Sequence, residues 1–156
     1  MEWLLLILIA NGSPVLASYF FSHRSSKPID FGLMLKDKQY LFGKTKTWRG
    51  LVSSLVLTSL IAMLLGYDLM TGFIVSSLSM LGDLFSSFLK RRLQKVESSQ
   101  VVLLDQIPES LLPCLWLLKM NYIDLTQVMV IVSSFIIIDI VLSSILYKFG
   151  VRKKPY

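Results

Sequence analysis

The sequence predicts an all-α integral membrane protein, a bundle of five transmembrane helices, and three observations carry that prediction. Hydrophobic residues make up 54% of the 156. Mean hydropathy is +0.64, and several apolar runs approach the roughly 20 residues needed to cross a bilayer. Basic residues fall almost wholly between or after those runs. One membrane-embedded domain over residues 1–156 is expected.

The first span, about 3–21, is preceded only by Met1 and Glu2 and followed by no clear cleavage pattern, so it reads as a retained helix and not a removable signal. Asn11 and Pro14 interrupt it. A proline frees a backbone carbonyl and an amide needs a partner, so the pair either shapes a cavity or forms a kink closed by an interhelical hydrogen bond. Residues 22–49, punctuated by Pro28, Gly32 and Gly43, read as an ordered polar loop. The second span, about 50–66, is short. The third, about 69–89, ends in Lys90, Arg91 and Arg92. The fourth, about 106–119, contains Pro108, Glu109 and Pro113, which fits a bent or partly re-entrant helix buried by its neighbours. The fifth covers about 125–147, and four spans are the alternative count.

With five spans, fifteen of the 16 basic residues collect on one side, leaving only Lys119 on the other. The positive-inside rule makes that side cytosolic, with the N-terminus outside, the C-terminus cytosolic and the cleft facing the cytosol of the cell membrane. The formal net charge of +6 is therefore a localised cytosolic surface, explained by topology and by attraction to anionic headgroups. No nucleic-acid partner is implied, because no aromatic platform or known module accompanies the charge. Cys114 and His23 are each the only residue of their type. That leaves imidazole-based zinc chemistry and a Cys/His nucleophile pair without support, and any divalent metal must use oxygen ligands.

Asp83 is the most informative residue. A carboxylate at a bilayer centre costs roughly 3 kcal/mol on insertion scales, and such residues are functional by default. At about 1.5 Å per residue it lies roughly 10 Å inside the basic end of its helix, within reach of lipid phosphate and cytosolic nucleotide. Asp83, Ser87 and Lys90 share one helical face. Asp105 and Glu109 share another, on the same cytosolic side. Oxygen-only acids at an interface suit Mg²⁺, which keeps several waters and is completed by substrate phosphates; a solvated helix start is the simpler explanation for the second pair. The segment Phe42–Gly50 gathers Lys44, Lys46, Arg49 and two threonines just before a membrane helix, a set able to embrace a triphosphate. It is not a Walker loop, since position 38 is Lys and no strand precedes it.

These residues resemble the CDP-archaeol synthases, membrane cytidylyltransferases distantly similar to phosphatidate cytidylyltransferases. The resemblance rests on Ala10-Asn11 with Pro14-Val15-Leu16, Leu41-Phe42-Gly43 with Lys46-Thr47-Trp48-Arg49-Gly50, Leu81-Gly82-Asp83 with Ser87-Phe88 and Lys90-Arg91-Arg92, Asp105-Gln106, and the closing Tyr147–Gly150 and Pro155-Tyr156. It implies a five-helix fold, Mg²⁺ dependence, and transfer of CMP from CTP to an unsaturated ether-lipid phosphate. With topology and charge, it assigns Asp83, Asp105 and Glu109 to the metal, Lys90 and Arg91 to lipid or nucleotide phosphate, and Lys46, Thr47 and Arg49 to the triphosphate. Asn11, Ser87 and Gln106 are cleft candidates. Lys38, Pro108, Asp139 and Ser143 depart from the family pattern. A small transporter with Asp83, Asp105 and Asp139 on an ion path, and a noncatalytic homologue, are the alternatives; acceptor lipid class and oligomeric state stay open.

Overall fold

The computed structural model describes residues 1–21, 26–95, 101 and 103–148. His23, Arg24, the Ser98-Ser99-Gln100 segment and the closing stretch from residue 149 lie outside them. Five helices follow in order: α1 (Glu2–Phe20), α2 (Trp48–Leu64), α3 (Leu69–Arg92), α4 (Gln106–Lys119) and α5 (Leu125–Lys148). α1, α3 and α5 are long and apolar enough to cross a membrane, and α2 is a shorter apolar helix. α4, with 14 residues, rises only about 21 Å and is sheltered between α3 and α5. α1 touches every other helix, whereas α5 touches only α1 and α4.

The bundle has two unlike ends. One is a dry core of Leu6, Ile7, Ala62, Val75, Leu117 and Phe135, closed by the aromatic rings of Trp3, Tyr67 and Tyr122, with centroids 4.3 and 5.2 Å from Trp3 to its two neighbours. Tyr67 donates to Glu2 at 2.5 Å, and this bond to a carboxylate pushes its phenol up to about 12. The other end carries Asp83 to Arg92 of α3, the start of α4, and the loop before α2.

Small residues let the helices approach closely enough to join these ends. A Cβ on Gly72 would sit 2.7 Å from both Ala62 Cβ and Ser59 Cα of α2. On Gly82 it would run into the Pro108 carbonyl and the Glu109 nitrogen of α4. That second contact fixes the crossing at which Asp83 meets α4.

Each proline inside a helix leaves the carbonyl four residues earlier without its helical N–H. Both orphans are satisfied from a neighbouring helix. Pro14 frees Ala10 O, which accepts from Ser54 Oγ of α2 at 2.7 Å. Pro113 frees Glu109 O, which accepts from Ser79 Oγ of α3 at 2.9 Å. In lipid, where water cannot substitute, this is how a broken helix is tolerated.

Candidate active site at the charged end

The loop between α1 and α2 is organised by Asp30, a buried carboxylate that accepts backbone N–H groups from Gly32 (3.0 Å), Phe42 (2.9 Å) and Gly43 (3.3 Å). A second clamp comes from Arg92, which pairs with Asp37 at 2.7 Å and donates to Tyr40 O at 2.8 Å. Together they carry the chain back over the helices. Ile29 N donates to Lys46 O at 2.8 Å and Trp48 N to Lys27 O at 3.1 Å, so Lys46 is delivered to the bundle just before Thr47 caps α2. The Thr47 Oγ accepts from Gly50 N at 3.2 Å, which commits that hydroxyl to starting the helix.

Lys46 Nζ lies 2.5 and 2.6 Å from the two oxygens of Asp83. The Asp83 and Glu109 carboxyls lie close enough to interact electrostatically, and Lys90 lies within range of Asp83 as well. Lys90 itself holds Asp105, at 2.9 and 3.0 Å to its two oxygens. Burial opposes the charge on Lys46, but attraction from Asp83, then Glu109 and Asp105, outweighs it and raises the ammonium above the ordinary lysine value. One network of acids and lysines therefore joins the loop before α2 to α3 and to the start of α4.

Ser87 is buried on the same face of α3 as Asp83 and Lys90, as the four- and three-residue spacing predicts. Arg91 is also buried, and its Nε has no hydrogen-bond partner among the described residues. A desolvated guanidinium of this kind is a ready partner for an anion. Arg49 stands at the rim, with Nη2 donating to Ser18 Oγ at 3.3 Å.

The three acids assigned to a metal do not form one cage. Among the described residues no group of three such side chains could hold an ion: Asp83 and Glu109 lie together, while Asp105 is drawn to Lys90 and accepts Val101 N at 3.0 Å. Two adjacent carboxyls nevertheless fit Mg²⁺, which is commonly held by one or two carboxylates plus substrate phosphates. Asp83 and Glu109 are the pair that would hold it.

Two cleft candidates have structural work. Gln106 is fully buried, accepts Leu103 N at 2.8 Å and donates to Asp139 at 2.9 Å, tying α4 to α5. Asn11 Nδ2 donates to Ile7 O at 2.9 Å and to Ser79 Oγ at 2.7 Å, so its interhelical bond is made. Asn11 also borders a small cavity of about 20 Å³ with Gly12, Asp139 and Ser143, room for about one water. Sequence reasoning missed Asp30, Ser54 and Ser79. The first had a signal in the Pro-Ile-Asp run before a glycine, and the serines had one in the two mid-helix prolines.

A family model described as CarS-like CDP-archaeol synthase matches residues 2–156. The chain belongs to the CDP-archaeol synthase family. It is 31% identical over 159 residues to the CDP-archaeol synthase of Staphylothermus marinus, covering 96% of this chain and 87% of that one. It is 37% identical over 112 residues to that of Thermofilum pendens, where the match covers 69% of this chain and 55% of the relative. Against the Thermococcus onnurineus enzyme the match is 35% and covers 61% of the relative, so the chain spans somewhat more than half the length of these two. Its fold is similar to that of a solved intramembrane enzyme for archaeal membrane lipid biosynthesis, with a TM-score of 0.76, 24% identity, and coverage of 90% of this chain and 89% of that one.

Proposed function

We propose that this chain transfers CMP from CTP to an isoprenoid ether-lipid phosphate, giving a CDP-archaeol-type lipid and pyrophosphate. Family membership supports the reaction class, and the Lys46–Asp83 contact of 2.5 Å, half-buried beside Glu109 and close to Lys90, is the observation that carries it for these residues. An oxygen of the lipid phosphate attacks the α-phosphorus of CTP. The new P–O bond forms as the bond to the β-phosphate oxygen breaks, and its electron pair leaves with pyrophosphate. The nucleophile is already ionised near neutral pH, so the protein need supply neither a Cys or His nucleophile nor a strong base.

The work of the protein is to bring two polyanions together and neutralise the charge that moves. Lys46 and Arg49 hold the triphosphate, Lys90 and Arg91 hold the acceptor phosphate, and Ser87 lines the wall between them. Thr47 fixes the approach of Lys46 by capping α2. When bound at Asp83 and Glu109, Mg²⁺ would offset charge on the phosphate oxygens. Asp105 orients Lys90. The bundle crosses the cytoplasmic membrane five times, N-terminus outside, with this site at the cytosolic face.

The test is an assay of the purified protein in vesicles with CTP and Mg²⁺ against ether-lipid phosphate and diacyl phosphatidate, reading both CDP-lipid and pyrophosphate. Stoichiometric appearance of the two with the ether acceptor is expected. Folded, CTP-binding protein that releases neither product with either acceptor would overturn the proposal in favour of a noncatalytic homologue.

A further inference from the structure

The loop before α2 carries a surface that the reaction does not use. Phe31, Leu33, Met34 and Leu35 are large apolar side chains, 75%, 54%, 53% and 37% exposed, in the otherwise polar connection. They are presented by a small hairpin in which Leu41 N donates to Leu33 O at 2.9 Å and Leu35 N to Gln39 O at 3.0 Å. Exposed lysines flank them along the chain, Lys27 on one side and Lys36 and Lys38 on the other. The nearby acids are already committed, Asp30 to three backbone amides and Asp37 to Arg92. The patch is therefore apolar with a cationic margin.

Its position relative to the bilayer follows from its neighbours. Phe31 lies 6.3 Å, ring to ring, from Trp48, the first residue of α2. α2 has 17 residues and rises about 25 Å, less than the roughly 30 Å of hydrocarbon it must cross. Its first residue thus starts at or below the edge of the apolar layer, where tryptophan is favoured. Arg92 ties the hairpin to the end of α3 through Asp37 and Tyr40 O, and α3 ends in a run of basic residues that belongs at headgroup level.

We propose that this hairpin is an interfacial anchor: Phe31, Leu33 and Leu35 insert into the cytosolic leaflet of the protein's own membrane while Lys27, Lys36 and Lys38 engage anionic headgroups. An apolar patch with a lysine margin is the composition that binds such a surface. The anchor fixes the height of the chain that leads through Gly43 to Lys46, holding the triphosphate-facing lysine at the depth of the lipid phosphates. It rests on the membrane placement of the helices and not on the reaction.

Spin labels at Leu33→Cys and Lys38→Cys, in full-length protein in vesicles containing an anionic phospholipid, test it directly. Cys114 is fully buried, so the introduced thiol takes the label. At Leu33→Cys, collision with oxygen is expected to exceed collision with a water-soluble nickel chelate, and the order is expected to reverse at Lys38→Cys. Lys36→Gln with Lys38→Gln should make the first label shallower in anionic vesicles and leave it unchanged in neutral ones. Leu35→Cys replaces Leu33→Cys if that variant does not accumulate. Labels at both apolar positions as open to the nickel chelate as the one at position 38 would overturn the proposal and point to a protein partner for the patch. This readout needs no turnover, so its failure is distinct from a failure of the proposed reaction.

Discussion

The two proline-broken helices solve one problem with different consequences. In α1 and in α4 a proline orphans a carbonyl, and a serine from the adjacent helix satisfies it. At Ala10 the rescued residue carries only a methyl group, so the bond from Ser54 holds α1 to α2. At Glu109 the rescued residue carries the carboxyl that faces Asp83, and the rescuing Ser79 also accepts from Asn11. A device that merely pins helices at one place positions a carboxyl of the charged network at the other.

Gly82→Ala should break the second region most severely. Its Cβ would meet the Pro108 carbonyl and Glu109 backbone, atoms that cannot swing aside, and overpacking of this kind costs about 1–3 kcal/mol or more. CDP-lipid formation by the folded fraction should fall by about a hundredfold, the scale of losing an aligned electrostatic group. Unchanged turnover would mean that the α3–α4 crossing does not set the site.

Ser79→Ala and Ser54→Ala sharpen the comparison. Each leaves a buried carbonyl unsatisfied, so each should lower thermal stability by about 1–3 kcal/mol. Only Ser79→Ala should also slow turnover at saturating substrate, and equal kcat in the two variants would erase the distinction. Pro113→Ala restores a helical N–H for Glu109 O, so the cost of Ser79→Ala should shrink in that background. A double-mutant cycle with a coupling of about 1 kcal/mol is expected, and additivity would contradict the pairing.

The smallest effect belongs to the dry end. Tyr67 has its phenol raised from 10.0 to about 12 by the bond to Glu2, so its contribution to folding is fully present below pH 10 and is lost as pH rises toward 12. Tyr67→Phe should lower stability at neutral pH, where the bond to Glu2 is intact, and flatten the fall across that alkaline window, so that the two proteins converge toward pH 12. A chemical denaturation series across pH 8 to about 12 reads the difference.

The helices were legible because burial in lipid demands runs of apolar residues of set length. α1 through α5 fall within three residues of the boundaries that hydropathy predicts. Asp83 was legible for the same reason, as a charge where none is tolerated without a partner. What hydropathy could not show is which residues meet across helices. Ser54 and Ala10 are 44 positions apart and Ser79 and Glu109 are 30 apart, and those meetings depend on helix rotation and close crossings at glycines. The division of the acids was hidden likewise: Asp105 and Glu109 share a spacing, yet Lys90 takes one and Asp83 faces the other. Asp30 was hidden because its partners are backbone amides, two of them twelve and thirteen residues away, and the Pro-Ile-Asp run marks only a turn.

The most direct measurement is CMP transfer from CTP to ether-lipid phosphate by Asp83→Asn beside the unaltered protein, in the same vesicles and with matched folded fractions. Loss of an ionised group at the centre of the network should reduce CDP-lipid and pyrophosphate formation together by about a hundredfold or more. Turnover of Asp83→Asn equal to that of the unaltered protein would contradict the assignment of chemistry to the Lys46–Asp83 network.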